Sequence, residues 1–390
     1  MDRDTFNINI RTDESKPKVK YLYMGIKESF AKLDTIINGS HVLCVPIVSS
    51  INRETNQYKL DCDGNINRIV TAFSHANSFD KLTILLPSNY ESMNILNDFK
   101  DNNEGKVVLK HTSYFGKHAG EQRSLPECYE NTLKLIEKNY SGYDWIFVES
   151  QYLADALCKA GYKNKLIFYN NVCEIELDGV VKTRSFMKGY DKLNKKLVDN
   201  CAYTICVSPE TVEYWKSFVI SEGSTGENIL NLPYLIDREL SYFSYTPDSE
   251  LQSYIKQLAQ NMHIIYLPYR LTDEGYQMDK VVNYVNMLAS DVCIIYSDPN
   301  NSGFMETLKT RFNDKVKYVK VSTDRNIYYT LIDSPFVSIP YFEDIAFINH
   351  ATIHEMFNNK ANCTIILDKT QTIEKISDYG DLPLDRIFWY

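Results

Sequence analysis

Short, almost continuously apolar runs recur along this chain, each separated from the next by a stretch with helical spacing. The first half carries them at His41–Ser49, Lys81–Pro87, Lys106–Thr112, Asp144–Glu149, Lys165–Asn170 and Tyr203–Ser208. They are rich in β-branched and aromatic residues and lack the alternation of a half-exposed strand. Each therefore reads as a strand covered on both faces of a parallel sheet. Tyr90–Asp101, Pro126–Lys138, Gln151–Ala160 and Pro209–Phe218 between them show the 3.6-residue spacing of helices. Ser208 is placed to cap the last of these, with Pro209 at its first helical position. Strand–helix alternation on this scale specifies an α/β domain with a doubly wound sheet.

Residues 221–250 break the pattern, being rich in Ser, Gly, Asn, Pro and Tyr without clear periodicity, and read as a connection. A second alternation follows. Its strands are expected at His263–Leu267, Asp291–Tyr296, Lys315–Val321, Val337–Ile339 and Cys363–Leu367. Its helices are expected at Asp279–Leu288, Gly303–Phe312, Asn326–Leu331 and Ile345–Asn358. A chain of 390 residues has room for two such domains. The expected division is 1–235 and 236–390, with an amphipathic last helix that can pack back on the first domain. Two α/β domains face each other across a cleft at the carboxyl ends of their strands, where ligands of such sheets bind.

Composition narrows the partners. There are 51 Asp and Glu against 42 Lys and Arg, a net charge of −9, which is unlike a dedicated nucleic-acid coat. The nine cysteines include no CxxC pair and mostly lie in apolar surroundings, as expected of reduced, buried thiols in the cytoplasm. No apolar run is long enough for a membrane span, and the first residues, MDRDTFNINIRTDESKPK, do not read as a signal peptide. Walker A, GxGxxG after a strand, HExxH and GxSxG motifs are all missing.

Two segments carry the chemistry. In HIIYLPYRLTDEGYQMDK a strand ends at Leu267 and is followed by Tyr269, Arg270, a polar loop with Gly275, and a helix bearing Lys280. An arginine at a strand end can grip a diphosphate with two parallel hydrogen bonds, and the helix N-terminus adds donors and a positive dipole end. In IPYFEDIAFINHATIHEMFNNKANCTIIL a helix carries Glu355 shortly before a strand. A carboxylate there can accept both hydroxyls of a ribose.

Together these segments resemble the nucleotide-sugar half of a GT-B glycosyltransferase, whose pattern runs strand, Gly-Arg-Leu, loop, Lys-Gly, helix, and later Glu and Gly-Thr-Pro-Val before a strand. Here the matching residues are Tyr269-Arg270-Leu271, Asp273-Glu274-Gly275, then Glu355 and Asn362-Cys363-Thr364-Ile365. Tyr269 replaces the first glycine, no lysine sits beside Gly275, and Gly-Thr-Pro has become Asn-Cys-Thr. Within GT-B enzymes the style is similar to that of phage enzymes that glycosylate hydroxymethylated DNA bases. The resemblance implies two Rossmann-like domains, a UDP-sugar co-substrate, no metal and no tightly bound cofactor. It also implies a flipped base of duplex DNA, carrying hydroxymethylcytosine, as acceptor.

The acceptor side is then expected in the first domain. The loop YFGKHAGEQRSLP follows a strand and offers Glu121 or His118 as the base for an acceptor hydroxyl, with Lys117 and Arg123 for phosphates. The basic stretch VVKTRSFMKGYDKLNKK, with Arg184 and Lys188, is a second candidate for a nucleic-acid backbone. It can equally be a solvated helix face. Asn170–Glu174 marks a further strand end. Asp61-Cys62-Asp63-Gly64 looks like a metal-holding DxD but reads as an Asp-Gly turn in a hairpin. His350 and His354 share a helix face with no third zinc ligand evident. Rival readings are a polysaccharide, lipid or protein acceptor, and a non-catalytic α/β protein with a decayed nucleotide site. Oligomeric state and sugar are left open.

Overall fold

The computed structural model describes residues 26–367 and 386–390, apart from 49–50, 53–54, 56, 62–63, 113–124, 171–174, 178–179, 183–189, 208–211, 213–214, 220–222, 224, 233–235, 244, 269–276, 299–302, 323, 343–354 and 357–360. The chain forms two α/β units, each built on a parallel sheet. In the first unit seven strands pair in parallel: β1 (His41–Val45), β4 (Lys81–Pro87), β6 (Val107–Thr112), β7 (Trp145–Val148), β8 (Leu166–Asn170), β11 (Tyr203–Cys206) and β12 (Ile229–Asn231). Their order across the sheet is β12-β11-β8-β7-β1-β4-β6. A small sheet, β2 (Ile51–Asn52), β3 (Gln57–Lys59) and β5 (Tyr90–Ser92), and a hairpin, β9 (Ile175–Leu177) and β10 (Val180–Lys182), sit beside it. The helices are α1 (Ile26–Ile37), α2 (Gly64–His75), α3 (Asn94–Asn102), α4 (Leu125–Asn139), α5 (Gln151–Lys159) and α6 (Tyr190–Asn200).

The second unit orders its six strands β15-β14-β13-β16-β17-β18, again all parallel. They are β13 (His263–Leu267), β14 (Val292–Tyr296), β15 (Val316–Lys320), β16 (Val337–Pro340), β17 (Thr364–Leu367) and β18 (Ile387–Trp389). Helices α7 (Ser249–Leu258), α8 (Met278–Met287), α9 (Phe304–Lys309) and α10 (Arg325–Ile332) complete it. Among the described residues no helix is long and apolar enough to cross a membrane.

The continuous apolar strands are buried as their composition requires. All five residues of β14 and of β8 are buried, and helices cover both faces of such sheets. Phe147 of β7 packs at the centre of the first core, edge-on to Phe73 of α2 and stacked on Tyr169 of β8. Trp215 anchors a third cluster with Val198, Cys206, Val212, Val219 and Ile229. The described cysteines are free, and Cys158 and Cys201 bring their sulfurs to 4.0 Å.

Several local expectations change. Tyr90–Ser92 is a strand rather than the first turn of a helix, because Tyr90 pairs with Tyr58 of β3 and the helix starts only at Asn94. Gly64 opens α2 instead of closing a hairpin; the apolar stripe Ile66, Ile69, Val70 and Phe73 has helical spacing and outweighs the Asp-Gly turn signal. Within 221–250, β12 joins the first sheet through Ile205–Leu230 pairing, so the crossing between units runs from 232 to 248. The described end of the chain is a strand, β18, added to the edge of the second sheet; residues 368–385 lie outside the described residues.

That crossing is held at both ends. On the first unit, Asp237 pairs with His75 at 2.8 Å, its N–H donates to Thr71 Oγ1 at 3.2 Å, and the hydroxyls of Tyr242 and Ser74 meet. On the second, Arg238 grips Asp333 with both terminal nitrogens at 3.1 and 3.0 Å. The same guanidinium lies against both the Tyr245 and Tyr329 rings, 4.8 and 4.6 Å from their centroids. The N–H of Asp248 donates to Thr330 of α10 at 2.9 Å.

Two outcomes are expected from this packing. Phe147→Ala should destabilise the first unit by about 3–5 kcal/mol, read as an earlier transition in urea unfolding followed by near-UV circular dichroism. Arg238→Lys keeps the charge but loses the planar fork and the stacking, and should cost about 1–2 kcal/mol in thermal unfolding; an unchanged melting curve would show that the crossing contributes little.

Candidate functional site

In an open parallel sheet, ligands gather where neighbouring strands send their connections in opposite directions. The second sheet has that point between β13 and β16, which are adjacent although three connections apart in sequence. The chain leaving β13 runs into 268–277, the segment that carries Tyr269, Arg270 and Gly275. The chain leaving β16 runs into 341–363, which carries Glu355. The two segments touch: the N–H of Gln277 donates to the carbonyl of Phe342 at 2.7 Å. The chains that follow β13 and β16 therefore meet at Gln277 and Phe342. Tyr269, Arg270 and Gly275 themselves lie outside the described residues. Lys280 sits half-buried in the first turn of α8.

Glu355 is the best-defined charged group of this crevice. Its side chain is 4% exposed, and it is held by arginines from both units. Arg68 of α2 donates from Nη2 to Oε1 at 3.3 Å. Arg325, the first residue of α10, donates from Nη1 to Oε2 at 3.2 Å. Asp324 fixes the start of that helix by accepting the N–H of Asn326 at 2.7 Å. Burial works against the Arg325 charge, but Glu355 together with the Tyr329 and Tyr328 phenols outweighs it, so the guanidinium is held protonated above its usual range. Burial, then the Glu355 charge, also pushes the neighbouring phenols up, Tyr329 to about 12. The Tyr328 hydroxyl is buried and has no hydrogen-bond partner among the described residues.

The first sheet has its corresponding point between β1 and β7. There Glu149, buried at the end of β7, accepts the N–H of Ile47 at 2.6 Å. Asn65 in the first turn of α2 donates to the carbonyl of the same Ile47 at 3.1 Å. Burial, and then the charge of Glu149, raises the pKa of Cys44 on β1. Arg68 is one turn further along α2, so the first unit's crevice and the Glu355 cluster are joined by a single helix. The loop holding Glu121, His118, Lys117 and Arg123 leaves β6, at the edge of this sheet, and lies outside the described residues, as does Arg184.

Part of the basic stretch is engaged within the protein. Lys196 pairs with Asp155, and Lys195 lies over the Phe218 ring at 5.5 Å. Asp61 is likewise engaged: the hydroxyl of Ser92 and, at 3.3 Å, the N–H of Ile95 both donate to it at the start of α3. Cys62, Asp63, His350 and His354 lie outside the described residues. No group of three metal-ligating side chains occurs among the described residues.

Sequence reading overlooked Arg68, Arg325 and Glu149. Arg68 carried a signal, a lone cation beside the apolar stripe of α2. Glu149 carried another, an acid closing the apolar run WIFV. Arg325 carried none, because its partner Glu355 lies 30 residues further on, beyond β16.

No known family profile matches the chain, and no curated protein matches it. Solved structures do. HepE of Anabaena, in complex with UDP and glucose, superposes with a TM-score of 0.54 at 11% identity, covering 90% of this chain and 85% of that one. The sucrose-phosphate synthase of Thermosynechococcus elongatus gives 0.55 at 11% identity, with 90% and 85% covered. At that identity the likeness is one of fold, and the fold is α/β with two Rossmann-like domains in the GT-B arrangement.

Proposed function

We propose that the protein is a metal-independent glycosyltransferase that moves a sugar from a UDP-sugar to an acceptor hydroxyl, with the domains divided at 235/236. The observation that carries this reading is the Gln277–Phe342 bond, which brings together the chains that follow β13 and β16, in a fold shared with a protein solved in complex with UDP and glucose. In this reading Arg270, with Tyr269, the Gly275 loop and the start of α8, holds the diphosphate, and Lys280 adds charge. Glu355 receives the ribose hydroxyls. The acceptor oxygen attacks the sugar's anomeric carbon as the bond from that carbon to the diphosphate breaks. UDP leaves with the electron pair, and fixed cations neutralise it. The acceptor proton passes to Glu121 or His118.

The narrower reading places the acceptor on duplex DNA, at the hydroxymethyl group of a modified base in a phage, with the protein working in the cytoplasm of the infected host. It is supported by the resemblance of the donor segments and by the cationic groups Lys117, Arg123 and Arg184. Polysaccharide, lipid and protein acceptors are its rivals.

The deciding experiment incubates the protein with hydroxymethylcytosine DNA and a panel of nucleotide sugars, and reads UDP release together with the masses of the digested nucleosides. A heavier nucleoside supports both readings, and UDP release with unchanged nucleosides leaves only the transferase. No nucleotide binding of any kind would refute both. Arg270→Ala should slow transfer by about 10²-fold or more, and Glu355→Gln should lower kcat/KM by about 10–100-fold, both measured by coupled UDP detection. A DNA acceptor also requires apparent affinity to fall steeply between 50 and 200 mM salt, on the order of 10³-fold if several phosphates are neutralised; a flat salt profile in a filter-binding assay would discard it.

A further inference from the structure

We propose that Cys158 and Cys201 form an oxidative modification site of the first unit: a hydroperoxide oxidises Cys158, and Cys201 resolves the product into a disulfide that fastens α5 to α6. Helix α5 starts beside Glu149 at the first crevice, and Cys158 stands near its other end. The assignment is therefore independent of the transferase reading and stands or falls without it.

The thiols are already close. Cys158 is the next-to-last residue of α5, and Cys201 directly follows α6. Their sulfurs stand 4.0 Å apart. A disulfide bond is about 2 Å long, so the remaining gap is on the scale of side-chain rotation. Two further bonds hold the helices together at this place. The N–H of Ala202 donates to the carbonyl of Lys163 at 3.0 Å, tying the chain after α6 to the chain after α5. Further back along both helices, Lys196 of α6 pairs with Asp155 of α5 at 2.5 Å.

Exposure sets the order of events. Cys201 is 4% exposed, whereas Cys158 is only half-buried. Cys44, Cys206, Cys293 and Cys363 are buried as well, so among the described cysteines Cys158 is the one a small solute reaches. Its surroundings favour the thiolate. The hydrogen bond from Cys201 lowers its pKa; burial and Asp155 oppose this, and Lys196 and Lys163 assist it. The same hydrogen bond, and then burial, push the Cys201 thiol up, so it stays protonated. A reachable thiolate backed by a shielded thiol is the arrangement of an attacking and a resolving cysteine.

The chemistry balances with a peroxide as the oxidant. The Cys158 thiolate attacks one peroxide oxygen, an S–O bond forms, and the O–O bond breaks. Hydroxide leaves and takes up a proton, so the peroxide is reduced to water and Cys158 becomes a sulfenic acid. The Cys201 sulfur then attacks the sulfenic sulfur. The S–S bond forms, the S–O bond breaks, and the departing hydroxide takes the proton that Cys201 gives up. Two thiols and one hydrogen peroxide thus yield one disulfide and two waters.

The test treats the folded, full chain with hydrogen peroxide, caps the remaining thiols with iodoacetamide and maps the peptides by mass spectrometry. The expected product is a Cys158–Cys201 peptide pair that dithiothreitol separates. Its formation should run at least about tenfold ahead of oxidation at Cys44, Cys206, Cys293 and Cys363. Cys201→Ser should stop at the sulfenic acid, seen as a dimedone adduct on Cys158, and Cys158→Ser should leave Cys201 reduced. The oxidised wild type should unfold at higher urea, because the crosslink joins residues 43 apart in sequence, and reduction should restore the original midpoint. An unmoved midpoint would overturn the fastening role. Cys158 driven to sulfinic acid with Cys201 still capped by iodoacetamide would overturn the assignment. So would a disulfide from Cys158 to any other cysteine, or a Cys158 that peroxide leaves fully reduced. The wild-type map decides by itself, so a variant that fails to fold leaves the test intact.

Discussion

One carboxylate organises the space between the two domains. Glu355 is buried, and a buried carboxylate persists as an ion only with partners at hand. It takes one from each domain, Arg68 and Arg325. Desolvation makes such a cluster expensive and its geometry strict, so it contributes more to specifying how the domains face than to net stability. Removing Glu355 would leave two guanidinium groups facing each other in a poorly solvated place. The sheets, the crossing segment and helix α2 all serve to deliver these three side chains to one point.

The delivery follows from topology. Each sheet has one pair of adjacent strands whose connections diverge, β1 with β7 and β13 with β16. Backbone groups at those strand ends are left to be satisfied by loops, and each crevice is closed by a defined bond: Ile47 to Glu149 in one, Gln277 to Phe342 in the other. Helix α2 begins at the first crevice, where Asn65 binds the Ile47 carbonyl, and one turn later reaches the second through Arg68. A single helix therefore couples the two places where ligands of this fold gather.

How much of this was legible in the sequence depends on the range of the interaction. Strands such as β14 and β8 were readable because burial on both faces imposes an unbroken apolar run. Helices α5 and α8 were readable from a 3.6-residue stripe. The strands β13 and β17, which the Arg270 and Glu355 motifs adjoin, were readable from their apolar runs. Short elements failed: β5 is three residues stabilised by β3 rather than by its own propensity, and the Asp-Gly signal before α2 was overridden by the stripe behind it. The strand β12 hid inside a polar stretch because only its partner β11 gives it a reason to extend. Arg68 and Glu355 are 287 residues apart, and no local pattern links them.

The segment between the domains has a consequence for inheritance. Residues 237 to 248 are bonded to α2 on one side and to α10 on the other, with Arg238 resting against a ring of its own segment and a ring of the second domain. They are not a tether that any two domains could share. A recombination event that brought in a foreign partner domain would leave either Asp237 without His75 or Arg238 without Asp333. The unit that can be exchanged intact is therefore the whole pair with its crossing, and the two halves are bound to diverge together.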